Sequence, residues 1–404
     1  MVTETQNRKL SLENLVKALQ QQNYEKRDFV VNANRITMTD GKLVVVNNNS
    51  NPELAAILKS TGISSGESLT LQPLEHCHTL LANRLDIPKV YYNKVLEASP
   101  SLLDANVNYW LMQSKSNYYL RTFVNDEKGT GFARAILSDR YFTLDNYDVL
   151  LAALEAIRES GLNIGIESAD ITDKNMFVRF TNPEIELQAP ELLKNYKVPG
   201  HTNRPGHTGI ISGFVISNSE VGAGGFSVKP RATILACNNG MTRKDEAFNR
   251  IHLGAKMDEL TSVVWSEDTK QKNLALICSQ IKDAIKTFAS REYLGRWIED
   301  LTKLNEAAGE LSHPTDAVRN VSKEYGFGKE KEASILNYFI KGADTSAFGI
   351  SQAITYYAHK DATADEQYEL EEAADTLLKD AKAFDKRYIE VKRGPKPKVN
   401  PALN

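Results

Sequence analysis

The chain has 404 residues, of which 41% are hydrophobic and 25% charged, and its formal net charge at pH 7 is -3. This composition provides enough apolar material for a sizeable core. A near-balanced, slightly acidic total excludes general attraction to nucleic acid, so any basic surface must come from local segregation of charge.

The three cysteines, Cys77, Cys237 and Cys278, are scattered along the chain. An odd, sparse count argues against a disulfide framework and for a reducing compartment. No run approaches the roughly 18 apolar residues that span a bilayer, and the N-terminus lacks an apolar signal region. We therefore expect a cytoplasmic protein with no membrane partner.

Residues 1–105 are predicted to form a mixed, mainly helical N-terminal region. A strand that begins near Val44 ends in an Asn-rich turn, after which Asn51 caps a helix and Pro52 occupies its first position. Another helix is predicted to begin at Pro88, because the apolar residues after it repeat at helical spacing.

Residues 106–260 are predicted to form a central α+β domain. Segments 118–124 and 132–138 are rich in β-branched and aromatic residues, and the turn residues between them predict a hairpin. We expect Asp145 to cap a helix that ends at Gly161, and a strand pair to follow it. Strands are also predicted over 209–217 and 228–237, in the same sheet as the hairpin.

The last third has apolar residues at helical spacing, which predicts a helical C-terminal region over 261–390. Residues 391–404 include three prolines and no apolar period, so they are predicted to be a disordered basic tail. This tail is an alternative explanation for any affinity for DNA. The predicted fold class is therefore α+β, with a central antiparallel sheet, flanking helices and a helical C-terminal region.

Two groups of residues have the chemistry of metal ligands but not the spacing. His76, Cys77 and His78 are adjacent, and neighbours at i and i+2 point in different directions on a helix. A second set contains no CxxC or HxxxH pair and consists of His201, His207, Cys237 and His252. We expect loop histidines and buried thiols instead, with no metal and no cofactor, since phosphate-loop and dinucleotide motifs are also absent from the sequence.

One face of the predicted hairpin combines basic and aromatic side chains. Strand alternation places Tyr119, Arg121 and Phe123 on the same face. If the turn is centred between residues 127 and 128, Arg121 lies directly opposite Arg134. Like charges across a ladder are destabilising unless something compensates them.

Two kinds of group could compensate this pair of arginines. A phosphate backbone would do so, with the flanking aromatic rings free to stack on bases. A carboxylate on a neighbouring strand, such as Glu167 or Asp170, would do so equally well. Segment 194–256 adds a second basic region, with nine lysines and arginines against three acids, which suits a polyanion. Candidate phosphate contacts are Arg121, Arg134, Arg140, Lys229, Arg231 and Arg243, and candidate stacking residues are Tyr119 and Phe123.

Three motifs resemble a known family. ARAILSDRYFTLDNYDVL (133–150), NSEVGAGGFSVKPRATILACNNGM (218–241) and ISQAITYYAHKDAT (350–363) together are similar to the phage/plasmid-like domain-of-unknown-function family. The resemblance covers about Leu81 to Leu378. In the family's Cys-Thr-Asn-Gly signature, Asn238 replaces Thr here. We also expect Asn239-Gly240 to make a tight turn that closes a strand ending at Cys237. The motif positions are Asn218, Glu220, Gly222, Cys237, Asn239, Gly240 and His252.

The resemblance implies a mobile-element protein, in the host cytoplasm if phage-encoded, with no established activity. Genes of this type lie near replication and recombination functions, and the expected fold bears a distant likeness to single-strand annealing proteins. The leading prediction is a non-enzymatic homo-oligomer that binds or anneals single-stranded DNA. One alternative is an enzyme acting on nucleic acid or nucleotides, centred on Cys237 and His252. Another is a protein-interaction or anti-defence factor that uses the acidic helix at 365–380.

Overall fold

The computed structural model describes residues 7–46, 56, 59, 66–125, 130–141, 143–199, 208–250 and 267–389. The chain forms two compact units. The first contains Met1–Glu186, Ile211–Ala232 and Arg243–Tyr293, and the second contains Leu187–Ile210, Thr233–Thr242 and Leu294–Asn404. Antiparallel sheets with helices, followed by a helical C-terminal region, confirm the predicted α+β class.

The strands, in chain order, are β1 (Asn7–Leu10), β2 (Phe29–Asn32), β3 (Ile36–Thr39), β4 (Lys42–Val46), β5 (Ser68–Pro73), β6 (Asn117–Asn125), β7 (Thr130–Ser138), β8 (Gly165–Ile171), β9 (Met176–Gln188), β10 (Gly209–Asn218), β11 (Phe226–Ile234), β12 (Asn239–Thr242) and β13 (Phe248–Arg250). The helices are α1 (Leu12–Glu25), α2 (Glu75–Arg84), α3 (Lys89–Ala98), α4 (Pro100–Gln113), α5 (Asn146–Ser160), α6 (Pro190–Leu193), α7 (Glu267–Phe288), α8 (Arg291–Ala308), α9 (Pro314–Glu324), α10 (Lys329–Gly342), α11 (Ala347–Lys360), α12 (Ala364–Lys379) and α13 (Ala381–Phe384). The described part of the first 105 residues thus contains five strands as well as helices α1 to α3 and the start of α4.

A six-stranded sheet in the first unit has the strand order β2-β6-β7-β5-β4-β3. Its strands pair antiparallel except for β5 and β7, which are parallel. Alternating burial along β4 and β5 turns one face of each strand to the core. Helix α4 buries Leu103, Val107 and Leu111, spaced four residues apart, in the same hydrophobic cluster as the sheet.

The other sheet has seven strands in the order β1-β8-β9-β10-β11-β12, with β13 paired to β11. Strands β10 and β11 are buried along their whole length. The predicted hairpin is confirmed as β6 and β7, but the prediction that it shares a sheet with β10 and β11 is wrong. The physical reason is that β2 takes the free edge of β6 and β5 takes that of β7.

The local predictions around α5 are confirmed. Asp145 occupies the N-cap position, although its side chain makes no capping hydrogen bond to the helix, and the helix ends at Gly161, whose φ of 70° is accessible to glycine without strain. The strand pair predicted after this helix is β8 and β9, which run antiparallel. The predicted helix start at Asn51 and Pro52, and the predicted tail at 391–404, lie outside the described residues.

The turn after β11 lies upstream of its predicted position. The strand ends at Ile234, residues 235–238 form the turn, and β12 already begins at Asn239. The residue with positive φ is Asn238, at 56°. The prediction that Asn239-Gly240 makes the turn is therefore wrong, because asparagine itself tolerates the left-handed conformation and Asn238 takes it.

The second unit contains most of the C-terminal helices. Helix α12 begins with a capping box, in which Thr363 and Glu366 each accept a hydrogen bond from the other's backbone N–H. In the described parts of the chain, no helix combines the length and the apolar character that crossing a membrane requires.

Candidate nucleic-acid interface

A β-bulge changes the predicted register of the hairpin. Phe123 faces Phe132, which is the register of a turn centred between residues 127 and 128, but Arg121 faces Ala135, because the register shifts between Arg121 and Thr122. The predicted juxtaposition of Arg121 and Arg134 across the ladder is therefore wrong. A single extra residue in one strand is enough to move every later pair by one position.

Arg121 is fully buried and all its described partners are protein groups. Its Nε donates to Asp28 Oδ2 at 3.0 Å, its NH2 to Asp145 Oδ1 at 2.7 Å, and its NH1 to the carbonyl oxygen of Glu220 at 2.9 Å. Burial opposes the charge, but the surrounding carboxylates outweigh it and raise the pKa of the guanidinium well above its usual value. The compensating groups are thus Asp28 and Asp145, and no donor of Arg121 faces solvent.

Arg134 and the predicted stacking residues are enclosed in the same region. Arg134 forms an ion pair with Glu220 at 2.7 Å, and its guanidinium carbon lies 4.2 Å from the centre of the Phe123 ring. Phe123 is buried, and the guanidinium of Arg134 covers the ring face on which a base would have to stack. Tyr119 is half-buried, and its hydroxyl donates to Asp28 at 3.4 Å.

The family-motif residues Asn218 and Glu220 fasten their segment to the start of α5. The Asn218 side chain donates to the carbonyl of Leu144 at 2.9 Å and to Asn146 Oδ1 at 2.8 Å. Glu220 Oε1 accepts the backbone N–H of Asn146 at 2.7 Å. Burial alone would raise the pKa of Glu220, but the two hairpin arginines lower it, so the carboxylate is charged where it lies.

The basic residues predicted on the larger sheet are also buried. Lys229 and Arg231 lie inside strand β11, and Arg231 NH1 donates to Glu167 Oε2 at 2.5 Å. The side chain of Arg243 is largely buried and donates to Glu246 at 3.0 Å. Arg231 and Arg243 thus pair with carboxylates of the first unit. Glu167 and Asp170, the carboxylates suggested for the hairpin arginines, pair with Arg231 and with Arg8 and Arg179 instead.

The enzyme alternative finds little chemical basis at Cys237. Burial raises the pKa of this thiol to about 11, so the thiolate is scarce at neutral pH. Tyr196 Oη donates to the Cys237 sulfur at 3.8 Å, and Asn239 Nδ2 donates to Tyr196 Oη at 3.2 Å. Gly240 is buried in β12. His252, the proposed partner of the thiol, lies outside the described residues, as do His201 and His207.

The histidines of α2 are structural. His76 Nε2 lies 2.9 Å from the carbonyl oxygen of Val221, and His78 Nδ1 lies 2.8 Å from Tyr92 Oη. Burial lowers the pKa of His78 to about 4, which keeps the ring neutral. No cluster of three metal-ligating side chains occurs among the residues that the structure describes.

The acidic helix of the protein-interaction hypothesis exposes only some of its acidic side chains. In α12, Glu371 and Asp375 are buried in the second unit. Asp375 Oδ1 accepts from the indole of Trp297 at 3.0 Å, and Glu371 Oε1 accepts from Gln367 at 2.8 Å. Part of the negative charge in 365–380 therefore stabilises the helix packing.

A group of exposed basic residues lies elsewhere in the first unit. It surrounds a polar cavity of about 390 Å³ at the end of the hairpin where β6 begins and β7 ends. Arg84 lies at the end of α2, Lys115 precedes β6 and Arg140 follows β7, and all three are exposed. Within the described part of the chain, none of the three forms an ion pair. We call this cavity, which is lined by Arg84, Lys115 and Arg140 and also by Asn117, Ser138 and the acidic Asp139, the basic cavity.

Exposed aromatic residues lie next to the basic cavity along the chain. Tyr109 is 58% exposed and Trp110 46% exposed, and their ring centres are 5.1 Å apart in an edge-to-face pair. The N–H of Ser114 donates to the carbonyl oxygen of Trp110 at 3.1 Å, so only one helical turn separates Trp110 from the residue that precedes Lys115.

Sequence reasoning identified only Arg140 of this set. Arg84 and Lys115 are isolated cations in a stretch of unremarkable charge, and Tyr109 and Trp110 fall in a helix whose apolar residues suggest burial. The signal in the sequence is that α4 has more large apolar residues than one buried helix face can hold, so that some of them must be exposed.

Comparisons with protein-family models, with curated proteins and with solved structures return no match for this chain. The resemblance to the phage/plasmid-like family stays a prediction, and the functional inference depends on the geometry described above.

Proposed function

We propose that this protein binds single-stranded nucleic acid, and single-stranded DNA in particular, at the basic cavity. The observation that supports this most directly is the exposure of three cations, Arg84, Lys115 and Arg140, without an ion-pair partner among the described residues around one polar cavity. The five other predicted phosphate contacts are buried instead. A phosphate can reach only a cation whose donors face solvent.

Size and chemistry both suit a nucleotide unit. A cavity of about 390 Å³ falls within the roughly 300–1,000 Å³ range of ligand pockets. Its cations suit phosphate oxygens, and the exposed Tyr109 and Trp110 suit stacking on unpaired bases. A base pair inside a duplex offers no free face to such a ring, so this combination favours a single strand.

The proposed activity is binding, or annealing of bound strands, in replication or recombination on a mobile element. Neither step needs a cofactor or a nucleophile. We expect a homo-oligomer, because annealing brings together two strands that are each bound.

The test is a binding assay that compares single- and double-stranded oligonucleotides of the same sequence at low salt. We expect the parent protein to prefer the single strand, and the triple variant Arg84→Ala, Lys115→Ala, Arg140→Ala to lose most of that affinity. The matched control removes three exposed cations elsewhere, Lys17, Lys272 and Lys303. Equal weakening by both triple variants, or a preference for the duplex, would refute the proposal.

Trp110 gives an independent readout of the same contact. Of the three tryptophans, Trp297 is buried and Trp265 lies outside the described residues, so quenching of Trp110 by a stacked base is identified as the part of the signal that is lost in the Trp110→Phe variant. We expect Trp110→Ala to weaken single-strand binding by about 1–3 kcal/mol, the value typical of one base on an aromatic ring. Fluorescence that does not change on titration with DNA in the parent protein would exclude stacking on Trp110.

A further inference from the structure

The turn that contains Arg140 contacts the family-motif segment on its interior side. Residues 138–141 close a β-turn, in which the N–H of Tyr141 donates to the carbonyl oxygen of Ser138 at 2.9 Å. The N–H of Arg140 also donates to Ser138 Oγ at 3.3 Å. The backbone on both sides of Arg140 is therefore fixed within the turn.

Tyr141 connects this turn to the interior. Its hydroxyl donates to the carbonyl oxygen of Ser219 at 3.1 Å. Burial raises the pKa of Tyr141 to about 12, so the hydroxyl keeps its proton at neutral pH. Ser219 is itself held, because its Oγ donates to the carbonyl oxygen of Lys174 at 2.8 Å.

Gly222 makes room for this connection. Its φ is 75°, and a Cβ added there would lie 2.9 Å from Leu137 Cδ2 and 3.7 Å from Tyr141 Cε2. A glycine at this position lets the segment pass close to the end of β7 and to the Tyr141 ring. The segment is rigid on its other side too, through the contacts of Asn218 and Glu220 with the start of α5.

We infer that Tyr141 is a positioning residue for the basic cavity: its hydrogen bond to Ser219 sets the Ser138–Tyr141 turn so that Arg140 faces the same phosphate as Arg84 and Lys115. This inference rests on the proposed function. It also gives the motif segment Asn218–Gly222 a role as the support of the binding surface.

The test is a double-mutant cycle between Tyr141→Phe and Arg140→Ala, measured as single-strand affinity against salt. Phenylalanine keeps the ring and removes only the hydroxyl, which donates to Ser219 and accepts from the backbone N–H of Gly222, so we expect binding to weaken about 3- to 10-fold, the order expected for the hydrogen bonds of one hydroxyl. The log–log salt slope should fall by up to about 0.7, the value of one phosphate contact. In the Arg140→Ala background, Tyr141→Phe should have no further effect.

The matched control is Tyr338→Phe in the second unit, which removes a hydroxyl that donates to Asp361 at 2.7 Å; it should leave binding unchanged. If Tyr141→Phe weakens binding equally with and without Arg140, or not at all, the positioning role is wrong while single-strand binding stands. If the parent protein binds no single strand at low salt, the proposed function and this inference both fall.

Discussion

The guanidinium of Arg121 lies among three acidic residues that come from distant parts of the sequence, Asp28, Asp145 and Glu220. Such an arrangement joins the front of the chain, the hairpin, the start of α5 and the motif segment through charge-assisted hydrogen bonds. Arginine suits this position because its donors are fixed in a fork and it stays charged even when buried.

Removing Arg121 should be far more damaging than removing an exposed arginine. Arg121→Ala leaves Asp28 and Asp145 without their main counter-charge, and we expect the free energy of unfolding to fall by about 3–5 kcal/mol. Arg140→Ala should change it by less than about 0.5 kcal/mol, because that side chain is exposed. Urea denaturation of both variants measures the difference; a loss below about 1 kcal/mol for Arg121→Ala would contradict the buried arrangement.

Asp145 should make stability depend on acid pH. Burial would raise its pKa, but Arg121 and Lys26 lower it to about 2, below the roughly 3.9 of an unfolded chain. The unfolded state therefore binds more protons between these values, so this contribution is complete above about pH 4 and is lost as the pH falls through about 2. Its size is on the order of 2 kcal/mol. Burial raises the pKa of Asp28, which acts in the opposite direction.

Substituting Asp145→Asn isolates this contribution from the other acids. The parent protein should be more stable than the variant at about pH 5, and the difference should shrink by on the order of 2 kcal/mol towards about pH 2. Urea denaturation across this range measures it. A difference that is independent of pH would mean that Asp145 is not ion-paired in the folded state.

Local sequence signals predict an element completely when residues at both of its ends mark where it starts and stops. Helix α5 was bounded correctly because Asp145 and Gly161 mark its start and end. Pairing between strands was not predictable in the same way. Nothing local indicates that β6 joins β2, or that β7 lies parallel to β5, since those partners are many residues away. The bulge after Arg121 has no glycine or proline to mark it.

The same limit explains why the basic cavity was not predicted. Whether an arginine is exposed or ion-paired depends on carboxylates that only the tertiary fold brings near. Sequence counting treated Arg121 and Arg140 alike, whereas the fold buries the first and exposes the second. Periodicity could say which face of a strand each residue occupies, but not which face is covered.

The turn between β11 and β12 offers a test at the level of a single element. Asn238 has a φ of 56°, a conformation that costs most side chains about 1–2 kcal/mol. We expect Asn238→Val to destabilise the protein by about that amount and Asn238→Gly to be neutral or slightly stabilising. Thermal melts of both variants measure this. Equal melting temperatures for the two would place the positive φ at another residue.

At the scale of the whole molecule, burial decides which basic side chains are accessible to a ligand. Four of the six predicted phosphate contacts form ion pairs with carboxylates of the first unit: Arg121, Arg134, Arg231 and Arg243. The net charge of -3 gives no general attraction to DNA, so affinity must come from a small exposed set. In the competing account, any affinity for DNA comes from the lysines and arginines of residues 392–404.

The dependence of single-strand affinity on salt tests the central claim most directly. Each phosphate contact with a single strand contributes about -0.7 to the log–log slope, so removing Arg84, Lys115 and Arg140 together should flatten it by about 2. Deleting residues 392–404, or removing Lys17, Lys272 and Lys303, should leave that difference in place. A slope that is the same in the parent protein and in the cavity variant, or affinity that disappears with residues 392–404 alone, would contradict binding at the basic cavity.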